Sequence, residues 1–123
     1  MRFSDHVDIP EKVIDAQQDG KLVIFAGAGV SMGPPSNLPS FAKLASDVAG
    51  ETLKRQDKEP IDRFLGRLEK AGVEVHERVH HIISDGSPEP TALHRALLQL
   101  YRSPDALRLI TTNFDLHFSM AAE

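Results

Sequence analysis

A glycine-rich turn, Gly27-Ala28-Gly29-Val30-Ser31, directly follows the apolar run of residues 22–26. Because glycine has no side chain, the backbone of such a turn can approach a diphosphate closely, and its N–H groups can donate to the phosphate oxygens. A helix beginning nearby would add positive charge at its amino end, which favours an anionic ligand. The turn therefore predicts nucleotide binding, with a simple tight connection between strand and helix as the structural alternative.

The turn differs from two well-known phosphate-binding motifs. Its glycines, Gly27, Gly29 and Gly33, span one residue more than the dinucleotide fingerprint, and Met32 stands where the third glycine would be. The lysine followed by serine or threonine that marks nucleotide triphosphatases is absent from the turn. The pattern thus indicates a nucleotide but does not identify which one.

A second polar segment, Thr111-Thr112-Asn113-Phe114-Asp115, ends the strand predicted over residues 107–112. Open parallel sheets bind ligands at the carboxyl ends of their strands. Asn113 and Asp115 are two positions apart, so both can face one crevice if the chain remains extended there. The alternative is that one of these side chains caps the helix that follows.

The remaining elements follow from apolar periodicity and helix-end signals. The run of residues 22–26 does not alternate in polarity, which predicts a buried strand that pairs in parallel with the strand over residues 107–112. Helix-end signals and apolar spacings of three and four predict five helices: one with Pro10 at its first position, one capped by Ser40, one that starts at Pro60, one that carries Val75, Val79, Ile82 and Ile83, and one capped by Thr91. We expect the second of these to continue beyond Gly50 as far as Leu53. The expected fold class is therefore α/β.

Composition limits the possible partners and locations. The 123 residues carry a net charge of −4, so we expect no direct nucleic-acid binding. No apolar run is long enough for a membrane helix and no signal-like amino end is seen, which predicts a cytoplasmic protein without membrane contact. With no cysteine and no ligand-spaced histidines, we expect no metal site.

Three motifs together resemble the sirtuin-like family. They are the turn Gly27-Ala28-Gly29-Val30-Ser31, the segment Pro90-Thr91-Ala92-Leu93-His94, and Asn113-Phe114-Asp115, in the family's order. The resemblance implies a Rossmann-like parallel sheet with helices that binds NAD. A two-stranded parallel sheet leaves both edges unpaired, so we expect residues 1–123 to be the amino-terminal portion of one such domain, ending before the family's catalytic histidine.

Two departures narrow this resemblance within the family. Protein-deacylating sirtuins carry Asp-Phe-Arg after the turn and glutamine before the asparagine, whereas this chain has Leu38-Pro39-Ser40-Phe41-Ala42-Lys43 and Thr112. In both respects the chain is similar to bacterial sirtuin-like NAD hydrolases of antiphage defence, which sometimes act beside a short Argonaute. The resemblance implies cleavage of NAD to nicotinamide and ADP-ribose, and a homo-oligomer or a short Argonaute as partner.

The same resemblance implies roles for individual residues. Gly27, Ala28, Gly29 and Ser31 would hold the diphosphate, and Thr112 would also contact NAD. Asn113 and Asp115 form the implied catalytic pair: Asn113 would orient the ribose hydroxyls or the attacking water, and Asp115 would hold the nicotinamide carboxamide. Two alternatives remain, an NAD-dependent protein deacylase and a non-catalytic nucleotide-sensing module.

The histidines give weaker indications than these motifs. His80 and His81 fall within a predicted helix, where a solvated or structural role is favoured over catalysis. His94 follows the Thr91 cap and is expected to pack or bond locally. His117 is close in sequence to Asn113 and is the one histidine worth testing as a catalytic group.

Overall fold

The computed structural model describes all residues from Met1 to Glu123 as a mixed α/β chain. Its strands are β1 (Arg2–Ser4), β2 (Val7–Asp8), β3 (Ile24–Ala26) and β4 (Leu109–Thr111). Its helices are α1 (Glu11–Gln18), α2 (Phe41–Ala49), α3 (Ile61–Lys70), α4 (Val75–Ser84), α5 (Ala92–Leu98) and α6 (His117–Ala122), with short 3-10 helices over Ala28–Ser31 and Pro104–Ala106. No helix combines the length and the apolar character that a membrane-spanning segment needs.

The predicted parallel pair is present as β3 and β4. Ile24 pairs with Leu109, Phe25 with Ile110 and Ala26 with Thr111. Each strand has only three residues and is shorter than the sequence predicted. Because the pair is parallel, the glycine-rich turn after Ala26 and the polar segment after Thr111 leave the sheet at the same edge.

The prediction that the first of these strands is buried is wrong. Ala26 is buried, but Phe25 is 69% exposed and its register partner Ile110 is 51% exposed. Side chains of a strand alternate between its two faces, and no other element of the chain packs over the face that carries this pair. The run of residues 22–26 is therefore uniformly apolar in sequence and alternately buried in structure.

The antiparallel hairpin of β1 and β2 was not predicted from the sequence. Both strands are exposed, and with three and two residues they are too short for apolar alternation to identify them. The ammonium group of Met1 donates to the carbonyl of Ile9 at 2.7 Å and closes the hairpin.

The helix starts agree with the sequence, and one helix end does not. The hydroxyl of Ser40 accepts from the N–H of Lys43 at 3.2 Å and caps α2, as expected. The predicted continuation to Leu53 is wrong, because α2 ends at Ala49. Gly50 takes a φ of 53°, in the left-handed region that glycine enters at low cost, and this terminates the helix.

The main apolar core lies among three helices rather than beside the sheet. Side chains of α2, α3 and α4 and of the adjoining loop form it: Leu44, Ala45, Val48, Ala49, Phe64, Leu68, Val73 and Val75. Val48 and Leu68 are fully buried. Arg78 donates to the carbonyl of Val48 at 2.7 Å and ties α4 to α2. The three helices thus form one packed unit next to the β3–β4 pair.

A partly buried ion pair fixes the loop that leads into α3. Arg67 donates to both carboxylate oxygens of Glu59, at 2.7 Å and 2.9 Å, and the N–H of Gln56 donates to the same group at 2.9 Å. These hydrogen bonds and the charges of Arg67 and Arg55 outweigh the effect of burial and lower the pKa of Glu59 from 4.5 to about 2.

Glu59→Gln is expected to reduce the dependence of stability on acid pH. A lowered pKa stabilises the folded state above pH 4.5, and this contribution is lost as the pH falls towards 2. Between pH 6 and pH 2, the free energy of unfolding measured with denaturant should fall more steeply for the wild type than for the variant. Glu51→Gln, at an exposed position, should keep the wild-type slope, and equal slopes for all three proteins would contradict the prediction.

Candidate functional site

The two sequence motifs line one cleft of about 410 Å³ at the shared edge of β3 and β4. Ala28 and Ser31 contribute from the first motif, and Thr112, Asn113 and Asp115 contribute from the second. Gly27 and Gly29 belong to the same turn but do not line the cleft wall. The loops whose convergence was predicted from their positions after parallel strands therefore meet.

The glycine-rich turn is a single 3-10 turn. The N–H of Val30 donates to the carbonyl of Gly27 at 3.3 Å, and the N–H of Met32 donates to that of Gly29 at 3.4 Å. The helix that was expected to begin near the turn is this single turn over Ala28–Ser31. The charge of a helix dipole grows from many aligned peptide units, so this turn can offer an anion only its local N–H groups.

The fold itself does not require glycine in this turn. Gly27 has extended backbone angles, φ −106° and ψ −171°, which any residue can adopt. A Cβ atom added at Gly27 or at Gly29 would meet no other atom within 4 Å. The explanation that these glycines merely permit a tight turn therefore finds no steric support.

Asn113 connects the two loops through its amide group. Its Nδ2 donates to the carbonyl of Gly27 at 3.1 Å, and its backbone N–H donates to the hydroxyl of Thr111 at 3.1 Å. Because the amide nitrogen is directed at Gly27, the amide oxygen Oδ1 is the group that can accept a hydrogen bond in the cleft. The Asn113 side chain therefore does not cap the helix that follows, which was the alternative role considered for it.

The Asp115 carboxylate is held by one donor on each oxygen. The Ser31 hydroxyl donates to Oδ2 at 2.9 Å, and the N–H of His117 donates to Oδ1 at 3.0 Å. The capping alternative is therefore correct for Oδ1, which satisfies an N–H at the start of α6. The chain bends at residues 114–115 rather than remaining extended, and Asn113 and Asp115 nevertheless face the same cleft.

His94 lies beneath Ser31 and is completely buried. Its Nδ1 accepts from the N–H of Thr91 at 3.0 Å, which completes a capping box at the start of α5. Its Nε2 lies 3.2 Å from the hydroxyl of Ser31. The local bonding predicted for His94 is confirmed, and the contact with Ser31 was not anticipated. Burial, followed by the charges of His117 and Arg95, lowers the pKa of His94, while Asp115 opposes the shift.

His117 is buried and does not line the cleft. Its Nε2 lies 2.6 Å from the hydroxyl of Ser36, and its Nδ1 has no hydrogen-bond partner, although Asp115 Oδ1 lies at 3.8 Å. The side chain therefore links α6 to the loop before α2. His80 and His81 are exposed on α4, outside the cleft.

An apolar wall faces these polar groups and was not identified as part of a site from the sequence. It consists of Leu38, Pro39, Phe41, Leu44, Ile83 and Phe114. The rings of Phe41 and Phe114 lie 6.2 Å apart at an interplanar angle of 58°. Phe41 and Leu44 belong to the helix predicted after Ser40, and only the position of that helix in the fold brings them to the cleft. The wall suits a flat, weakly polar ring.

A scan of protein-family models finds no model that matches the chain, and searches of curated proteins and of solved structures find no significant match. The structure contains no cluster of three or more side chains placed to hold a metal ion. The function must therefore be argued from the geometry of the cleft.

His94→Gln is expected to weaken the acid sensitivity of folding. Because the pKa of His94 is lowered in the folded state, the unfolded chain binds a proton first as the pH falls below about 6.5, and stability drops. The free energy of unfolding, measured with denaturant, should differ more between pH 8 and pH 5 for the wild type than for the variant. His76→Gln, on the surface, should leave the wild-type difference unchanged, and an unchanged difference in His94→Gln would refute the prediction.

Proposed function

We propose that the chain belongs to an NAD hydrolase of sirtuin-like type, which cleaves NAD to nicotinamide and ADP-ribose. The observation that carries the proposal is the hydrogen bond of 2.9 Å between Ser31 and Asp115, 84 positions apart, within one cleft. The open space beside Gly27 and Gly29 is compatible with close approach of a ligand to the backbone. A Rossmann-like sheet, of which β3 and β4 would be two strands, is part of the proposal.

The chemistry fits a cleft made of polar side chains and an apolar wall. The nicotinamide of NAD is a positively charged leaving group, so breaking its glycosidic bond requires placement and charge complementarity more than a strong acid. The transition state resembles an oxocarbenium ion, which a nearby carboxylate stabilises. Asp115 is the cleft's carboxylate, and its side chain is 8% exposed.

We infer from the size of the cleft that it holds one half of the substrate. Its volume of about 410 Å³ is near the lower end of the ~300–1,000 Å³ that ligand pockets usually have. We assign the nicotinamide and its ribose to this cleft, with the ring against Phe41 and Phe114. Asp115 then accepts from the carboxamide, and the free Oδ1 of Asn113 accepts from a ribose hydroxyl or from the attacking water.

The diphosphate is assigned to the backbone of the glycine-rich turn, beside Ala28 at the cleft wall. Ser31 is 2% exposed and its hydroxyl is committed to Asp115, so its side chain is not free to bind phosphate. This changes the role that the family resemblance implies for Ser31. The residue acts on the nicotinamide half of the site instead, and Thr112 remains a contact at the rim.

The proposal includes a biological setting that follows from the resemblance. We propose a cytoplasmic enzyme of prokaryotic antiviral defence that acts as a homo-oligomer or beside a short Argonaute. A protein deacylase and a non-catalytic nucleotide sensor are the alternatives. Incubating the complete protein with NAD, with and without an acetylated peptide, separates the three. Free ADP-ribose formed without peptide supports the hydrolase, nicotinamide released only with peptide supports the deacylase, and NAD binding without nicotinamide release supports the sensor.

Asn113→Ala is expected to abolish NAD cleavage while the protein stays folded. The substitution removes one neutral hydrogen bond, a cost of about 1 kcal/mol, together with the acceptor that would orient the reacting groups. Nicotinamide release measures the activity, and thermal unfolding measures the fold. Gln17→Ala is the matched control, because Gln17 also donates its side-chain amide to a backbone carbonyl, that of Leu100 at 2.9 Å, outside the cleft. Full turnover by Asn113→Ala would contradict the assigned role.

Gly29→Ala is expected to weaken NAD binding at least tenfold with little effect on stability. The added methyl group has open space in the fold but would stand between the backbone and a bound diphosphate. Isothermal titration calorimetry with NAD provides the measurement. Gly66→Ala, within α3, also has open space and should bind NAD as the wild type does. Equal affinities for both variants would show that the turn does not approach the ligand.

A further inference from the structure

Two hydrogen bonds connect the buried His94 to the Asp115 carboxylate, with Ser31 as the middle member. Ser31 Oγ lies 3.2 Å from His94 Nε2 and 2.9 Å from Asp115 Oδ2. His94 is fully buried and Ser31 is 2% exposed, so neither bond competes with solvent. Ser31 and Asp115 line the cleft, whereas His94 does not.

The contacts of Ser31 indicate which ring nitrogen of His94 carries the proton. Ser31 donates its one hydrogen to Asp115 Oδ2, so its oxygen can only accept from His94, and Nε2 is the donor. Nδ1 then accepts from Thr91, whose N–H lies at 3.0 Å and whose hydroxyl oxygen lies at 2.8 Å. The imidazole donates to the serine oxygen, and the serine donates its own hydrogen onward to Asp115.

This direction of donation has a consequence for the cleft. Asp115 receives hydrogen bonds on both oxygens, from Ser31 and from the N–H of His117. Both oxygens are therefore oriented as hydrogen-bond acceptors. The remaining lone pairs can bind a ligand N–H, such as that of a carboxamide, and the orientation of the group is fixed before the ligand arrives.

We propose that His94 is a positioning residue, which acts through Ser31 to hold Asp115 as an oriented acceptor on the floor of the cleft. The inference rests on the proposed function for the identity of the ligand, and it extends that function to a residue that touches neither substrate nor cleft. The order of the three groups differs from a nucleophilic triad, because the serine donates to the carboxylate and is not activated by the histidine.

Two substitutions separate this role from the capping role of the same side chain. In His94→Gln the side-chain oxygen can accept from Thr91 and the amide nitrogen can donate to Ser31, so both functions are kept. In His94→Asn the shorter amide can reach Thr91 but not Ser31, so the cap is kept and the donor is lost. The complete protein is used for both variants, with thermal unfolding as the measure of folding.

We expect His94→Gln to bind NAD within about threefold of the wild type and His94→Asn to bind at least tenfold more weakly, because a hydrogen bond to a charged network is lost. Ser31→Ala breaks the connection from the other side and should also bind NAD at least tenfold more weakly. This variant tests the proposal if His94→Asn does not fold. A purely structural role predicts equal affinities for the Gln and Asn variants at equal stability. That result would overturn the proposal.

A measurement without ligand keeps this inference distinct from the proposed function. The ¹⁵N signals of the His94 ring in the wild-type protein should show a proton on Nε2 and none on Nδ1 at neutral pH. A proton on Nδ1 would overturn the proposal whatever the ligand is. If the wild type neither binds nor cleaves NAD, the proposed function fails, and the ring signals still decide whether His94 directs its proton towards Ser31.

Discussion

The hydrogen bond from Ser31 to the Asp115 carboxylate is the interaction on which the geometry of the cleft depends. It joins the two loops that leave β3 and β4, and both of its partners are largely shielded from water. A buried carboxylate without donors would cost several kcal/mol, so the groups around it must supply hydrogen bonds. The Ser31 hydroxyl and the N–H of His117 at the start of α6 meet this requirement, and His94 and Thr91 continue the polar network behind Ser31.

The protein divides its interior between two kinds of packing. Helices α2, α3 and α4 enclose an apolar core, whereas the layer between the sheet edge, α5 and α6 is filled by Ser31, Ser36, Thr91, His94 and His117. Apolar packing tolerates small rearrangements, but hydrogen-bonded groups demand fixed distances and directions. The cleft lies where the two meet, with Leu44 and Ile83 from the helical side facing Asn113 and Asp115.

The sequence predicts the parallel pair, the helix starts and the convergence of the two motifs, because these depend on local patterns and on strand direction. It fails where the outcome depends on distant neighbours. The exposure of Phe25 reflects the absence of a covering layer, which an apolar run cannot reveal. The apolar wall with Phe41 and Ile83 depends on how α2 and α4 pack against the turn. His94 illustrates both cases. Its capping role is local and could be predicted, whereas its contact with Ser31 spans 63 positions and could not.

The double use of the His94 ring couples events that are separate in most proteins. Fraying of a first helical turn is ordinarily a local fluctuation of little consequence, because only the terminal N–H groups lose their partners. Here the nitrogen that caps α5 and the nitrogen that meets Ser31 belong to one rigid ring. A rotation of the imidazole that releases Thr91 therefore also moves Nε2 away from Ser31. The rate of amide hydrogen exchange at the start of α5 thus reports how often Ser31 and the Asp115 carboxylate lose the hydrogen bond from His94.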